Sequence, residues 1–429
     1  MESNRWNSNR QSLQRSRRCP ETNVLYRLVY HYREELQWRW EELFQTQYGA
    51  LRDEVLKSLD KYLDCGILIQ GCARAVCEKC GHSELIAFSC KRRCICSSCD
   101  AKRAVIFAEH LNSCVLPPYP ISHQVYTIPK RLRPYFKFNR KLNKYLYHAA
   151  WGAWQDLIED ELPDCQSGSV MALHTAGDLL NWHPHAHALM LHGALDGAGE
   201  FHRLESVQLG YLTRRFQCRV LESLHAESLI DQETVDNMLG WENSGFHVFV
   251  GDTIAPSDQE ARLFVARYLK KSPVSLQRLE LVESGPEPVV RYHSYKENLA
   301  GQRDFSPLQF LAELSQHLPD EWEQTVRYMG TLSARTRGLQ RAQSSCATQR
   351  REPLLQLPEP ETKPSRSWAQ CMKRIFEIDP LQCSKCGGQM QIKSFLSAQP
   401  EIERLCKNIG VIPWRAPPPF SKPLSELAA

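Results

Sequence analysis

No run of apolar residues in the chain approaches the ~18 or more that a membrane-spanning helix needs. The N-terminal MESNRWNSNRQSLQRSRR has no apolar core of the kind found in a secretory signal. Both absences lead to the expectation of a cytoplasmic protein without a membrane partner. The glycine-rich motifs that cradle nucleotide phosphates are missing too, which argues against chemistry driven by a bound triphosphate. Nothing repeats at a solenoid period, so a stack of equivalent units is excluded. Acidic residues are scarce locally rather than overall: the chain has 49 Asp and Glu against 53 Lys and Arg, yet none of the acids lies between Leu111 and Gln155. With 42% hydrophobic and 24% charged residues over 429 positions, the composition is that of a globular chain of several domains.

The acid-free stretch carries Lys130, Arg131, Arg133, Lys137, Arg140, Lys141 and Lys144, interleaved with Tyr135, Phe136, Phe138, Tyr145 and Tyr147. Cations for phosphates beside rings for bases form a candidate surface for single-stranded nucleic acid. A basic helix with a solvated face is the plainer alternative.

Of the 17 cysteines, seven fall within residues 72–99. In a reducing compartment such density points to metal ligation or plain thiols rather than to disulfides. Cys77 and Cys80 form one CxxC pair, Cys96 and Cys99 a second, with fifteen residues between them. Four thiolates at that spacing close a tetrahedron around a structural Zn²⁺ and leave no open position for chemistry. Cys90 and Cys94 are spare candidates, and Cys72 a weaker one. The flanking Lys91, Arg92, Arg93, Lys102 and Arg103 make this knuckle basic, which suits contact with DNA. Near the C-terminus Cys383 and Cys386, followed by Gly387 and Gly388, make half a site that needs two more ligands from Cys371, Cys406 or another chain.

The segment LLNWHPHAHALMLHG places His183, His185 and His187 at every second position. Side chains alternate faces along a strand, so the three imidazoles point one way and Pro184, Ala186 and Ala188 the other. Neighbouring imidazoles on one face can grip a divalent ion and leave positions open for substrate oxygens. His174, on the preceding apolar run, adds a ligand if the two runs pair. In FVARYLKKSP, Tyr268 stands on an expected helix among Arg267, Lys270 and Lys271. A tyrosine so placed can attack phosphorus when a metal polarises the phosphodiester; a helix tyrosine packed by its ring is the alternative.

Along the chain the expected organisation is a mobile basic arm (1–20), a helical segment (21–64), a zinc-binding module (65–105), a central domain (112–300), a helical extension (301–339), a proline-rich linker (340–366) and a CxxC-containing unit (367–429). The helix bearing Tyr268 is expected to start at Ser257 as N-cap and to stop before Pro273, and Ser306 is expected to cap another.

Taken together, the motifs resemble a known family. HPHAH is similar to the His-hydrophobe-His motif of HUH endonucleases, and RYLKK to their tyrosine motif. The ordered set CEKCGH, FSCKRR, CSSC, YTIPKRLR, HTAGDLLNWHPHAHAL, RYLKKSPVSLQRLE and SWAQCMKRIFEIDPLQCSKCGGQM resembles rolling-circle transposases of the insertion sequence 91 family, over about residues 65–395. The resemblance implies an α+β fold, with an antiparallel-sheet HUH nuclease domain flanked by helices and preceded by a four-cysteine zinc-binding module. It implies that His185 and His187 hold Mg²⁺ or Mn²⁺, with His174 or Gln124 as third ligand. Tyr268 would attack single-stranded DNA at transposon ends, leaving a 5′-phosphotyrosine and a free 3′-OH, with target DNA as the second substrate. Lys271, three residues after the tyrosine, and Lys270 would offset charge on the phosphate, while Lys130, Arg131, Arg133, Lys137 and Arg140 would hold DNA. The position four residues before Tyr268 is Phe264, expected to keep the packing of a tyrosine there without its nucleophile. The chain thus resembles the single-tyrosine, common-region branch, in which a second subunit or a reused Tyr268 completes strand transfer. The rival readings are a replication initiator with the same chemistry, an inactive zinc-dependent DNA-binding regulator, and a hydrolase in which water attacks.

Overall fold

A computed structural model describes residues 23–295, 301–339, 342 and 381–415. The expected basic arm and most of the expected linker lie outside these residues. The described residues divide into two compact units, each assembled from separate stretches: those within 1–34, 57–92 and 360–429 form one, and those within 35–56 and 93–359 the other. Helix α1 (Val24–Leu43) runs from the first set of residues into the second, and α2 (Gln45–Tyr48) and α3 (Asp53–Leu63) follow.

In the first unit, β1 (Cys72–Cys77) is the central strand of a three-stranded antiparallel sheet, with β2 (Ser83–Ala87) on one side and β13 (Met390–Leu396) on the other. Segments read separately as 65–105 and 367–429 therefore contribute to one sheet. Helix α11 (Gln399–Asn408) closes it, with Ile402 and Cys406 buried against Cys72.

The second unit is built on a five-stranded antiparallel sheet. Its strands are β3 (Ile121–Thr127), β4 (Gly168–Ala176), β5 (Trp182–Leu191), β8 (His247–Ile254) and β12 (Val326–Gly330), in the order β12-β4-β5-β3-β8. β4 and β5 are the expected pair joined by the AGDLLN turn. β12 lies inside the stretch expected to be a helical extension, but it pairs residue for residue with β4. That stretch completes the central sheet because the edge of β4 would otherwise lack hydrogen-bond partners.

Helices cover both faces of this sheet, which is why its central strands read as nearly continuous apolar runs. On one face Tyr126, Met171, Leu173, Ala186, Ala188 and Met190 pack with α6 (Asn143–Glu161) and α7 (Leu209–Ala226). On the other, Ile121, Val170, Ala172, Leu189 and Leu191 pack with α4 (Ser97–Cys114) and α9 (Gln259–Tyr268). The remaining elements are α5 (Arg133–Phe138), the short strands β6 (Gly193–Leu195) and β7 (Phe201–Arg203), α8 (Gln232–Leu239), and α10 (Pro307–His317) beside a small sheet of β9 (Leu279–Val282), β10 (Val289–His293) and β11 (Gln302–Phe305). Ser306 caps α10 as expected, but Asp258 rather than Ser257 caps α9, its carboxylate accepting from the Ala261 N–H at 2.9 Å. No helix of the described residues is long and apolar enough to cross a membrane.

Candidate active site

The register of the central sheet assembles the site. His174 of β4 lies directly opposite His185 of β5, and the alternation along β5 puts His187 on the same face. This is the face packed by α9, whose last residue is Tyr268. The ligand nitrogens of His174, His185 and His187 all lie within 4.8 Å of one another. That is close to the ~4.2 Å span of two opposed bonds of ~2.1 Å to one ion. The ring of Tyr268 stands edge-on to His187, with centroids 5.1 Å apart, and 5.9 Å from His174.

Burial holds these imidazoles neutral. It pushes His174 down to about 3 and His185 to about 4, and His187 falls far below its ordinary value, with the neighbouring imidazoles adding to the effect. Protons therefore do not compete for the ligand lone pairs at neutral pH. The hydrogen bonds also set which nitrogen faces the site. His185 donates through Nδ1 to the His183 carbonyl at 2.6 Å, leaving Nε2 for a ligand role. His187 Nδ1 is 3.0 Å from Nε2 of His123, while its own Nε2 is buried and has no protein partner. A buried, unpartnered ring nitrogen beside two further imidazoles fits a metal ligand.

Two family models match the chain: one described as "Putative transposase" over residues 168–339, and a transposase zinc-binding domain over residues 36–128. The first takes in β4, β5, Tyr268 and β12; the second takes in both N-terminal CxxC pairs. The transposase for insertion sequence element IS801 of Pseudomonas savastanoi pv. phaseolicola is 28% identical over 374 residues, spanning 83% of this chain and 87% of that one. The chain belongs to the insertion sequence 91 family of transposases. It is a nucleic-acid-processing enzyme whose partner is DNA. No solved structure matches it.

The transposase corrects several expectations. Gln124 is not at the site: it lies on the opposite face of β3, where Tyr126 donates to its Oε1 at 2.6 Å and its amide reaches Ser122 Oγ at 3.2 Å. His183 stands outside the histidine trio. Phe264 does not keep a packing role, being 67% exposed. Lys271 does lie by the tyrosine, its Nζ 5.1 Å from the Tyr268 ring centroid. Lys270 turns instead onto the Phe107 ring of α4 at 5.1 Å, where burial lowers it to about 8.

The acid-free stretch is not acid-free in space. Arg140 bonds Glu323 at 2.9 Å and the Gln316 carbonyl at 2.9 Å, so it fastens the fold rather than facing DNA. Lys137 lies 4.3 Å over the Tyr48 ring and donates to the Gln47 carbonyl, and Arg133 bonds the Ile128 carbonyl at 3.3 Å. Phe136 and Tyr147 are core residues. Of the five named cations, Lys130 and Arg131 stay exposed.

The cysteine quartet also differs. Cys77 and Cys80 stand with Cys383 and Cys386, all four sulfurs within 4.8 Å of one another, because β13 pairs along β1. Cys96 and Cys99 belong to the other unit, as N-cap and first-turn residue of α4. Cys406 packs in the apolar cluster with Cys72, and Cys371 lies outside the described residues.

Two contributors carried no sequence motif. His123, a lone histidine in ISHQVYT, bonds His187. Arg262 is buried inside α9 and donates to the carbonyls of Tyr119 and Pro117, both at 2.9 Å, and to Asn112 at 3.2 Å, anchoring the helix that presents Tyr268.

Proposed function

We propose that this transposase cuts and rejoins single-stranded DNA at transposon ends through Tyr268, with His174, His185 and His187 holding one Mg²⁺ or Mn²⁺. The observation that carries the reading is the tyrosine ring standing 5.1 Å from His187 of a neutral three-imidazole cluster. A divalent ion held there would polarise the phosphodiester and offset the charge that builds on its oxygens.

The chain supplies the rest. Tyr268 Oη attacks phosphorus as its phenol proton passes to water; the bond from phosphorus to the 3′ oxygen breaks, and that oxygen leaves as a 3′-OH on taking a proton from water. The ester now joins the 5′ phosphate to tyrosine and conserves the energy of the broken bond, so rejoining to another 3′-OH needs no nucleotide triphosphate. Burial raises the phenol above its ordinary value. The Lys271 ammonium beside the ring is placed to neutralise phosphate charge. Exposed Lys130 and Arg131 contribute to DNA binding through phosphates and carry little sequence information.

Incubating the protein with labelled oligonucleotides from the element's ends and Mn²⁺ tests this on a denaturing gel. A protein–DNA band is expected with single strands, absent in Tyr268→Phe and lost on chelation. Cleavage without a covalent band would instead mean that water attacks and that Tyr268 only packs.

A further inference from the structure

Cys383 and Cys386 lie outside both regions that match the family models, yet the fold carries them to Cys77 and Cys80. The two CxxC turns have the same construction. Gly81 donates its N–H to the Cys77 carbonyl at 2.9 Å, and Gly387 donates to the Cys383 carbonyl at 2.9 Å. Each glycine is in the left-handed region, at φ 70° and 69°. Each leading cysteine donates its own N–H across the turn, Cys77 to His82 at 2.8 Å and Cys383 to Gly388 at 2.7 Å. A Cβ at Gly388 would lie 3.3 Å from the sulfurs of Cys77 and Cys386, tighter than ordinary contact, so a side chain there would crowd them.

The sulfur separations decide what the four can do. Cys77 and Cys386 are 3.5 Å apart and Cys80 and Cys383 3.7 Å. A disulfide needs about 2.05 Å. The edge of a tetrahedron with metal–sulfur bonds of ~2.3 Å is about 3.8 Å. Four soft sulfur donors select zinc over Mg²⁺ or Mn²⁺, and four protein ligands leave no open position.

We propose that Cys77, Cys80, Cys383 and Cys386 bind a structural zinc ion that clamps the C-terminal strand β13 to β1. The site is composite: neither the N-terminal nor the C-terminal pair closes it alone. It stands independently of the tyrosine chemistry.

Alkylation with N-ethylmaleimide, mapped by peptide mass spectrometry on the full-length protein, tests the clamp. With zinc bound, all four cysteines should react about tenfold or more slowly than after EDTA treatment, and should become reactive together. Zinc content measured on a Cys383→Ser/Cys386→Ser variant should fall by one equivalent, with Cys77 and Cys80 deprotected. Should that variant fail to fold, the wild-type protection pattern still decides. Free reaction of Cys383 and Cys386 in zinc-loaded protein, with Cys77 and Cys80 protected, would overturn the proposal. So would thiols that react only after a reductant, which would mean disulfides.

Discussion

His123 carries much of the orientation of the site although nothing near it forms a motif. Its Nε2 stands 3.0 Å from His187 Nδ1, and this bond leaves His187 Nε2 as the buried nitrogen without a protein partner. Partners of metal-binding histidines typically contribute 10–100-fold in affinity. Replacing His123 by Phe should therefore weaken Mn²⁺ binding by about tenfold or more, measured by titration calorimetry, while leaving the fold intact; unchanged affinity would mean His187 is oriented without it. The trio itself was legible, because strand alternation gives His185 and His187 one face and a hairpin partner gives His174. His123 was not, since its place depends on which strand pairs with the far edge of β5. The basic stretch misled for a related reason: Glu323, which binds Arg140, is far away in sequence.

Helix α9 shows what can and cannot be read one element at a time. Its acidic start and basic end marked it, with the cap misplaced by one residue, but nothing in EARLFVARY said that Arg262 points inward. Removing this guanidinium strands the acceptors of Tyr119, Pro117 and Asn112. Arg262→Leu should cost about 2–5 kcal/mol in urea unfolding, and should reduce strand cleavage by displacing Tyr268. A variant within about 0.5 kcal/mol of wild type would show that α9 docks without it.

Helix α10 ends in a pH-sensitive contact. His317 donates through Nε2 to the Leu180 carbonyl at 3.1 Å and lies with Nδ1 2.9 Å from Thr175 Oγ1, deep enough that charging the ring is costly. Burial lowers it to about 4. The unfolded chain then binds more protons than the folded one between about 6.5 and 4, so stability falls as the pH drops through that window. The half-buried imidazoles of His174, His183 and His185 act with the same sign. Urea unfolding at pH 7 and pH 5 should show a smaller difference in His317→Gln than in wild type, by about 2 kcal/mol. An identical pH dependence would mean that His317 is protonated without cost.

At the scale of the whole molecule, the composition and motifs gave the class of enzyme, but the linear order of segments did not give its units. The first unit takes residues from three separated stretches, and Cys383 and Cys386 find their partners some three hundred positions earlier through the pairing of β13 with β1. Spacing alone grouped Cys77 and Cys80 with the next CxxC pair, because proximity in sequence is a weaker constraint than strand pairing. Likewise β12, read as part of an extension, completes the sheet that bears the histidines. The proposed chemistry nevertheless converges on one side chain. The most direct measurement is mass spectrometry of the covalent product formed with an end oligonucleotide and Mn²⁺, after nuclease and protease digestion. The tyrosine mechanism predicts a nucleotide joined through its 5′ phosphate to the peptide containing Tyr268. A nucleotide found on any other residue, or cleaved DNA with no modified peptide, would contradict it.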